Sequence, residues 1–510
     1  MNPVQKMLNK HAALKASATS QGLAANDAEV TASDDTTRIV TVDKPTIVSQ
    51  VEAAKAEGRQ ASAESALAEA QEIINRVVET YNERFFVAPE GSGSYVFEEA
   101  WDHELNRAAL RRYRRQAWKE VRDNKLVLLP SGQTGQSAYK QVSEADIWLK
   151  SPLRRTFENI ALIPSGECPA NTYNLWRGFG VEAKEGDVKP ILSFIKSVIC
   201  SGNAEHAVYL IRWLAYCVQF PDRQAGVVPV LQGLKGTGKS TIGRLMVRIF
   251  GQHGLQITNV RHLLGNFNAH LRSSLFLLAD ESFYAGDPQG GAVLKGLVTE
   301  DYLSIEQKGV DVYQVRNRLK IMMCSNSEWV VPASSDERRY FCLTVSDKRQ
   351  GDYGYWDQLN AIIDGGGAEA FLHYLLHVDL SKFNIRAVPQ TEALAAQKLQ
   401  SLEALPAFLL DALTNGCIGE RDWAERGIEI PCSVFIEKLT EYCQKHPRHR
   451  YHLPTARYVG LHLLEMSGAT RGQESTGVRS RIYRFPPLNE ARETFAKWLR
   501  VPDFDWQVAE

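Results

Sequence analysis

The spacing of apolar and polar residues divides the chain into segments of different character. Residues 1–65 are rich in Ala, Ser, Thr, Asp and Gln with almost no aromatic residues, and this composition predicts a disordered tail. Residues 66–222 mix apolar residues at helical spacing with short strands, which predicts a mixed, mainly helical domain. In residues 223–350 short apolar strands alternate with helices, so this segment is predicted to be an α/β core with helices packed on a sheet.

The C-terminal part of the chain shows two further patterns. Residues 351–415 have helical spacing and are predicted to form a helical extension. Residues 416–510 show helix, loop, helix and a hairpin, an order similar to a winged helix-turn-helix, in which the wing and the second helix meet duplex DNA. Arg479, Arg481 and Tyr483 are expected on one strand face, where the two arginines are candidate DNA contacts. Winged helices also bind proteins, so both kinds of partner remain open.

Composition and charge limit the class of protein. The chain has 510 residues, of which 44% are hydrophobic and 23% are charged, as expected for a globular protein with more than one core. Its formal net charge is -1, so any surface that binds nucleic acid must be local. The 8 cysteines include no CxxC pair, which indicates reduced thiols. Because no apolar run has the length of a membrane span and the first residues lack an apolar signal core, we expect a cytoplasmic protein with no membrane partner.

The segment VVPVLQGLKGTGKSTIGRLMVRIF predicts a strand, a glycine-rich turn and a helix, in the order of the G-x-x-x-x-G-K-[ST] phosphate loop. Glycines in such a turn let backbone N–H groups approach a phosphate chain, and the following helix presents its positive end. Lys239 is expected to reach the outer phosphates of ATP, and Ser240 to bind Mg²⁺ through its hydroxyl. The residues predicted to hold the nucleotide are Gly233, Gly236, Thr237, Gly238, Lys239, Ser240 and Thr241.

Two more strands end in side chains suited to the same chemistry. SSLFLLADES is a buried strand that ends at Asp280 and Glu281, so Asp280 is a candidate Mg²⁺ ligand and Glu281 a candidate base for the attacking water. LKIMMC is expected to lie parallel to the first two strands. Asn326 at its end is a candidate contact to the γ-phosphate or to the attacking water. Carboxylates after strands are also common as solvated caps. Asp280 follows Lys239 by 41 residues (280 minus 239) and ends a buried strand, which favours the role in the nucleotide site.

A pair of arginines follows the third strand. Hydrolysis of ATP needs positive charge on the transition state, and an arginine from a neighbouring subunit accelerates such reactions by about 10³ to 10⁵. Arg338 or Arg339 is predicted to supply that charge, which requires a ring or a filament of subunits. The alternative is that the pair forms ordinary surface salt bridges with Asp336 and Glu337.

These motifs resemble those of superfamily 3 helicases of the AAA+ class, and more closely the helicase portion of phage and prophage primase-helicase proteins. The resemblance rests on GLKGTGKST, LFLLADESFYAGD, LKGLVTEDYLSIEQKGVDVYQVRNRLKIMMCSN and WVVPASSDERRYF, and it extends over about residues 140–400. It implies a ring, expected to be a homo-hexamer, that hydrolyses ATP to translocate on single-stranded DNA. It also implies a hairpin that faces the central channel, with Lys308 at its tip as a candidate DNA contact.

Two flanking features lie outside the three motifs. Relatives that make primers carry a polymerase-like domain with acidic residues on strands, and no such pattern precedes the ATPase core, so a separate primase is the expected partner. AALRRYRRQAWKEVR is predicted to be one helical segment, either a solvated or packing face or a surface that DNA approaches. Its basic residues are Arg111, Arg112, Arg114, Arg115, Lys119 and Arg122.

The predicted fold class is α/β, with an AAA+ P-loop ATPase core, an N-terminal mainly helical domain and a C-terminal winged-helix-like domain. The predicted function is an ATP- and Mg²⁺-dependent, ring-forming helicase that acts on single-stranded and forked DNA during phage or prophage replication in a bacterial host cell. Two alternatives remain. An AAA+ replication initiator or loader would hydrolyse ATP without processive unwinding. A nucleotide-gated switch in phage defence would hydrolyse ATP regardless of single-stranded DNA.

Overall fold

The computed structural model describes residues 63–104, 107–130, 139–259, 268–281, 288–307, 310–423, 426–474, 480–501 and 504–506. Most of the predicted tail, Lys308 at the hairpin tip and Arg479 lie outside these described residues. The chain forms two compact units. The first ends at Glu158 and the second begins at Asn159, except that two short segments before Glu158 belong to the second unit. No helix within the described ranges is long and apolar enough to cross a bilayer.

The first unit combines helices with strands. Its elements are α1 (Ala63–Asn82), β1 (Phe85–Glu90), β2 (Gly93–Asp102), β3 (Arg107–Arg114), α2 (Arg115–Glu120), β4 (Leu126–Pro130), β5 (Tyr139–Ser143) and α3 (Glu144–Lys150). β1, β2 and β3 form a three-stranded sheet, and β4 pairs antiparallel with β5. Its core is aromatic, since the rings of Tyr81, Phe85, Trp118 and Trp148 contact one another. This unit is therefore mixed, with strands as prominent as helices.

The sequence of residues 111–122 predicted one helical segment, but these residues do not form a single helix. Helix α2 begins only at Arg115. The residues that lie in β3 instead are Arg111, Arg112 and Arg114. Pairing of β3 in the three-stranded sheet overrides the local preference for helix, because strand formation depends on tertiary context. The guanidinium of Arg122 lies 4.6 Å from the ring centroid of Phe85 and 4.8 Å from that of Trp118, so this side chain packs on the core.

The second unit begins before the predicted α/β core. Its first elements are β6 (Asn159–Ala161), β7 (Thr172–Asn174), α4 (Lys189–Phe194), which continues as a π-helical turn over Ile195–Ile199, and α5 (Ala204–Gln219). Trp213 of α5 is fully buried, and its ring centroid lies 6.4 Å from that of Phe276 in the central sheet. The chain divides at Glu158 and not at residue 222 because α4 and α5 bury their apolar faces in the same core as the sheet.

A five-stranded parallel sheet forms the centre of the second unit. The elements in this region are β8 (Val228–Gln232), α6 (Lys239–Phe250), β9 (Gly254–Ile257), β10 (Phe276–Asp280), α7 (Pro288–Thr299), β11 (Tyr302–Gln307), β12 (Val310–Arg316), β13 (Lys320–Ser325) and β14 (Tyr340–Thr344). The strand order is β14-β8-β13-β10-β9, and each neighbouring pair is parallel. This confirms the predicted α/β core in which LKIMMC lies parallel to the other two strands. Parallel strands end at one edge of a sheet, so Gln232, Asp280 and Ser325 lie close together.

β11 and β12 form the predicted antiparallel hairpin. Leu303 and Ile305 of β11 are buried beside the sheet, and their cross-strand partners are Val315 and Tyr313 of β12. Val312 lies on the other face and is 60% exposed. In β11 the apolar residues therefore alternate with polar ones, and the apolar side chains lie on the inner face. In β12 the inward residues are Tyr313 and Val315, because cross-strand partners share one face of an antiparallel pair.

The rest of the second unit is helical at first, then contains a small antiparallel sheet of order β17-β19-β18, and ends in a helix. Its elements are α8 (Tyr353–Ile362), α9 (Ala368–His377), α10 (Glu392–Gln400), α11 (Ala404–Asn415), β15 (Cys417–Ile418), β16 (Arg421–Asp422), β17 (Ile428–Pro431), α12 (Cys432–Lys445), α13 (Ala456–Ser467), β18 (Thr470–Gln473), β19 (Arg481–Phe485) and α14 (Leu488–Leu499). Elements from α11 onward share one hydrophobic cluster around Leu409, Phe435 and Leu463, here called the C-terminal core. The predicted helical extension 351–415 is therefore divided, because α11 packs into the C-terminal core.

The strand face predicted to contact DNA is only partly exposed. Tyr483 is 4% exposed, and its ring contacts Phe435 in the C-terminal core. It is therefore unavailable to DNA, since its ring is part of the packing that holds the sheet on α12. Arg481 is exposed.

Candidate functional site

The carboxyl ends of three neighbouring strands bring most of the predicted site residues together. The glycine-rich loop follows β8, Asp280 and Glu281 lie at the end of β10, and Asn326 follows β13. Because β8, β13 and β10 are adjacent and parallel, these residues meet at one edge of the sheet. Thr237 and Thr241 are buried at the same edge. The Thr237 hydroxyl donates to the carbonyl of Leu234 at 2.9 Å, so this side chain braces the loop from within.

Two glycines give the loop its shape. Gly236 and Gly238 have φ angles of 77° and 80°, in the left-handed region that favours glycine. A Cβ atom on Gly238 would also lie 2.1 Å from the ring of Trp356 in α8, so no side chain fits there. The Trp356 indole N–H donates to the carbonyl of Arg349 at 2.9 Å, which holds the ring over the loop. Sequence reasoning missed this tryptophan because no local pattern connects it with the glycine-rich turn.

The Lys239 ammonium lies among the side chains and loop carbonyls at the carboxyl ends of the strands. Its Nζ donates to the carbonyls of Gly233 at 2.9 Å and Leu234 at 2.6 Å, and to Oδ1 of Asn326 at 2.6 Å. Burial lowers the pKa of Lys239 below its ordinary value, while nearby anionic groups act in the opposite direction. An ammonium has three donors, and here all three have partners within reach of the loop. The positive charge is therefore held where the backbone of the glycine-rich turn can receive a phosphate chain.

A hydroxyl and a carboxylate lie beside this lysine. Ser240 Oγ donates to Oδ1 of Asp280 at 2.8 Å, and Nε2 of Gln256 donates to Oδ2 of Asp280 at 3.2 Å. Within the described residues no group of three or more His, Cys, Asp or Glu side chains could form a dedicated metal cage. Mg²⁺ commonly uses one or two protein carboxylates together with phosphate oxygens and water. The oxygen pair of Ser240 and Asp280 therefore fits Mg²⁺ that arrives with a nucleotide.

Asn326 connects the lysine to the second carboxylate. Its Nδ2 donates to Oε1 of Glu281, while its Oδ1 accepts from Lys239. Glu281 has a φ of 53°, an uncommon value for a residue with a side chain, and its backbone N–H donates to the carbonyl of Cys324 at 2.9 Å. Such strained positions concentrate at functional sites because the surrounding structure must hold them. The amide thus orients a carboxylate next to a buried cation, an arrangement suited to positioning and deprotonating a water molecule.

Arg338 and Arg339 lie at the amino ends of the strands, at the opposite end of the sheet from the glycine-rich loop. They precede β14, whose first residue Tyr340 pairs with Val228 at the start of β8. The glycine-rich loop instead follows Gln232 at the end of β8, a rise of about 13 Å along the strand. The structure therefore does not bring either arginine to the lysine of its own chain.

The two arginines differ in their contacts. Nη1 of Arg339 lies 3.2 Å from Oε2 of Glu337, whose side chain is only 1% exposed. The backbone N–H groups of Arg338 and Arg339 also donate to Glu337, at 3.0 and 2.8 Å. The Arg338 side chain is exposed, and its guanidinium has no hydrogen bond or ion pair with the residues that the structure describes. The predicted salt bridge to Glu337 exists for Arg339, while Asp336 bonds to Ser334 at 2.7 Å.

A basic surface that sequence reasoning missed lies between α12 and α13. Residues 445–458 contain no Asp or Glu, and this stretch is here called the basic segment. Its cations and histidines are Lys445, His446, Arg448, His449, Arg450, His452 and Arg457. Tyr451 within it is 84% exposed. Arg448, His449 and His452 also line a cavity of about 520 Å³. The signal that would have found it is the run of cations without an acidic residue.

Comparison with known proteins gives a match over the central part of the chain. Residues 231–339, which include the glycine-rich loop and both arginines, match a family of unknown function, DUF5906. Over 237 residues, 45% of this chain, the sequence is 22% identical to the DNA primase-polymerase of Nitratiruptor phage NrS-1. The match covers 32% of that relative, so this chain spans about a third of its length.

Solved structures show the same fold over a longer stretch. The apo structure of the NrS-1 C-terminal region superposes with a TM-score of 0.52 and 16% identity, covering 80% of this chain and 98% of that one. A second form of the same region gives a TM-score of 0.52 and 15% identity, covering 81% and 98%. The chain is thus similar in sequence to a phage primase-polymerase, and its mixed α/β fold with a central parallel sheet is similar to that of the NrS-1 C-terminal region.

Proposed function

We propose that this protein is an ATP- and Mg²⁺-dependent DNA helicase that works as a ring in phage or prophage DNA replication. The observation that carries the proposal is the hydrogen-bonded series Lys239, Asn326 and Glu281, with the pair Ser240 and Asp280 beside it. A buried cation, an oxygen pair suited to Mg²⁺ and an oriented carboxylate are the parts that phosphoryl transfer to water requires. They lie at the carboxyl edge of a parallel sheet, where α/β proteins bind ligands.

Each residue of this series has a separate task in the proposed reaction. The backbone of residues 233–238 and Lys239 bind the phosphate chain, and the ammonium exchanges its loop carbonyls for phosphate oxygens. Ser240 and Asp280 would hold Mg²⁺, which would neutralise charge on the phosphates when bound. Glu281 accepts a proton from the attacking water, and Asn326 orients that carboxylate toward the γ-phosphate.

A cation from a neighbouring subunit completes the site in this proposal. Arg338 is the better candidate because its side chain is exposed and because it precedes β14, at the end of the sheet opposite the glycine-rich loop of its own chain. Arg339 is engaged with Glu337. A site divided between subunits favours closed assembly, and we propose a homo-hexamer with an AAA+ type of ATPase core.

Single-stranded and forked DNA are the proposed substrates. Attraction of phosphates by local cations supplies most of the affinity for single strands, and exposed aromatic rings add stacking on bases. The basic segment offers both, with Arg450 and Tyr451 at its exposed part. Helices and a small sheet in the order α12, α13, β18 and β19 support a winged-helix-like interpretation of this part of the chain. The hairpin of β11 and β12 is the proposed channel contact through Lys308.

Similarity to a phage primase-polymerase supports a place in phage replication. A separate primase is the proposed partner. The rival is an AAA+ initiator or loader, which hydrolyses ATP without unwinding a fork.

The deciding experiment measures ATP hydrolysis against protein concentration, with and without single-stranded DNA, and unwinding of a labelled fork. We expect a rate per subunit that rises with concentration, is stimulated by DNA, and supports unwinding. Glu281→Gln should bind an ATP analogue but lose hydrolysis by about 10² to 10⁴. Hydrolysis with DNA stimulation but no unwinding would favour the loader. A rate independent of both concentration and DNA would leave a nucleotide switch.

A further inference from the structure

The segment between Asn326 and the two arginines is held by a helix distant in sequence. Residues 327–337, here called the connecting loop, join the end of β13 to the start of β14 without a helix or strand of their own. In the proposed function this loop carries Asn326 at one end and Arg338 at the other. Its conformation therefore fixes both the water-positioning amide and the cation offered to the next subunit.

One side chain of α10 binds the connecting loop through its whole amide. Gln397 is fully buried, at 0% exposure. Its Oε1 accepts from the backbone N–H groups of Val330 at 2.7 Å and Val331 at 3.2 Å, and its Nε2 donates to the carbonyl of Glu328 at 2.6 Å. Without this amide the backbone N–H groups of the buried residues Val330 and Val331 would lose their acceptor, a costly state that native structures avoid.

The same contacts reach the glycine-rich loop. Nε2 of Gln232 donates to the carbonyls of Ser327 at 3.0 Å and Glu328 at 2.7 Å. Gln232 is the last residue of β8 and directly precedes Gly233. The carbonyl of Glu328 thus accepts from both Gln232 and Gln397. Hydrogen bonds therefore connect α10, the connecting loop and the residue that precedes the glycine-rich loop.

Next to α10, a second contact holds the connecting loop. Oγ of Ser401 accepts from the backbone N–H of Ala333 at 2.9 Å and from the indole N–H of Trp329 at 2.9 Å. The guanidinium of Arg448, in the basic segment, lies 4.0 Å from the Trp329 ring centroid. Nζ of Lys398 donates to the carbonyl of Leu499 at the end of α14, at 3.1 Å. α10 therefore contacts the sheet that carries the site and the C-terminal core at the same time.

We infer that Gln397 is a positioning residue for ATP hydrolysis, and that α10 couples the C-terminal core to the site through the connecting loop. The inference rests on the proposed ATPase function. It predicts that loss of the Gln397 amide displaces Asn326 and Arg338 while Lys239, Ser240 and Asp280 keep their places. Nucleotide binding and turnover should then respond differently, since displacement of a catalytic group by about 1 Å costs about 10²-fold in rate without abolishing binding.

The test compares Gln397→Leu, Gln397→Glu and the control Gln400→Ala in the full chain. Gln400 belongs to the same helix, and its Oε1 has no hydrogen-bond partner among the described residues. For Gln397→Leu we expect a kcat about 10 to 100 times lower, with the Kd for a non-hydrolysable ATP analogue within about 3-fold of the parent. Gln397→Glu keeps the acceptor for Val330 and Val331 and should recover part of the rate. Gln400→Ala should match the parent.

Hydrogen exchange measures the position of the loop without reference to activity. Backbone amides in peptides that span residues 328–334 should lose protection in Gln397→Leu, while peptides from β13 remain protected. If the leucine variant does not fold, Ser401→Ala tests the same loop through its second contact. Unchanged protection in the leucine variant would overturn the inference, as would faster exchange with an unchanged kcat. A parent that hydrolyses no ATP would instead overturn the proposed function, and the exchange data would still show whether Gln397 holds the loop.

Discussion

Nζ of Lys239 lies 2.6 Å from Oδ1 of Asn326, and this hydrogen bond joins the helix after the glycine-rich loop to the end of β13. The same asparagine donates to Glu281 through its other amide atom. An amide is neutral and has both a donor and an acceptor, so it can link a cation and a carboxylate without changing the charge of the site. The two strand ends are thus coupled through one side chain.

Replacement of this asparagine should separate binding from hydrolysis. In Asn326→Ala, the contacts of Lys239 with the loop carbonyls hold its ammonium beside the loop, where it can still exchange them for phosphate oxygens, so affinity for an ATP analogue should stay within about 3-fold. Hydrolysis should fall about 10² to 10³-fold, since Glu281 loses its orienting donor. Steady-state hydrolysis and analogue binding measure the two effects. Ser327→Ala, at the next residue, is the control, and equal rates in both variants would contradict the assignment of Asn326.

Replacement of Arg338 should affect the hydrolysis rate, whereas replacement of Arg339 should affect the stability of the fold. Arg338→Ala is expected to lower hydrolysis by about 10³ or more while leaving the melting temperature unchanged, because its guanidinium is exposed. Arg339→Ala should lower the melting temperature, since Glu337 is buried and loses its cation. Hydrolysis assays and thermal unfolding separate these outcomes.

Mixing variants tests whether Arg338 acts in a neighbouring subunit. Lys239→Ala lacks a working site but keeps its arginine, whereas Arg338→Ala keeps the site and lacks the arginine. If the arginine acts in trans, mixing the two inactive variants should restore part of the hydrolysis rate, because some interfaces then combine an intact site with an intact Arg338. Mixtures that stay as inactive as their components would show that the arginine does not act across subunits.

Gly238 should tolerate no side chain. In Gly238→Ala the positive φ costs about 1–2 kcal/mol, and the new Cβ meets the Trp356 ring, so the loop must change shape and ATP binding should weaken at least about 10-fold. Gly354→Ala is a matched control, since a Cβ there meets no atom within 4 Å. Binding of a fluorescent ATP analogue checks both. A Gly238→Ala variant with parental affinity would show that this loop shape is not needed for binding.

The basic segment should contribute to binding of single-stranded DNA. Removing one cation that pairs with a phosphate reduces the slope of log K against log salt by about 0.7, so Arg450→Ala should lower both affinity and slope. Tyr451→Ala should weaken binding by about 1–3 kcal/mol if its ring stacks on a base. Lys497→Ala, a 76% exposed lysine of α14, is the control, and Arg481→Ala tests the strand surface predicted from the sequence. Fluorescence anisotropy with an oligonucleotide over a salt series measures all four, and parental slopes in Arg450→Ala would exclude this surface.

Acid should destabilise the second unit through His253. The backbone N–H of Arg177 donates to its Nε2 at 3.2 Å, and its Nδ1 lies 2.7 Å from the carbonyl of Ser273, so the ring is held neutral. Burial lowers the pKa of His253 to about 4, from an ordinary value of 6.5. The unfolded chain therefore binds a proton that the folded protein resists, and stability present above pH 6.5 is lost as the pH falls toward 4, by up to about 1.4 kcal/mol per unit.

Urea unfolding at pH 7.5 and pH 5 checks this pH dependence. The parent should lose more stability between the two values than His253→Gln, which has no group to protonate. His452→Gln, at an exposed histidine, should lose as much as the parent. A loss in His253→Gln equal to that of the parent would show that another group controls acid stability.

Several parts of the fold were predictable from short stretches of sequence. Alternating apolar strands and helices predicted the parallel sheet, and the resemblance of the motifs implied the hairpin of β11 and β12. Residues 111–122 show where this reasoning fails. They suit a helix, yet β3 forms because its backbone pairs in a sheet, which no local pattern reveals. The boundary predicted at residue 222 was misplaced for the same reason, since the amphipathic spacing of α5 shows a buried face but not which partner buries it.

The sequence by itself determined that a strand, a glycine-rich turn and a helix precede two strands ending in Asp280, Glu281 and Asn326, because backbone conformation and strand alternation are encoded within a few neighbouring residues. Only the tertiary structure decided which side chains meet. Trp356 over Gly238 and Gln397 on Val330 join residues far apart in the chain, the latter pair separated by 67 positions. Such contacts depend on how whole elements pack, and packing is decided by the burial of apolar faces and the pairing of buried polar groups across the complete fold.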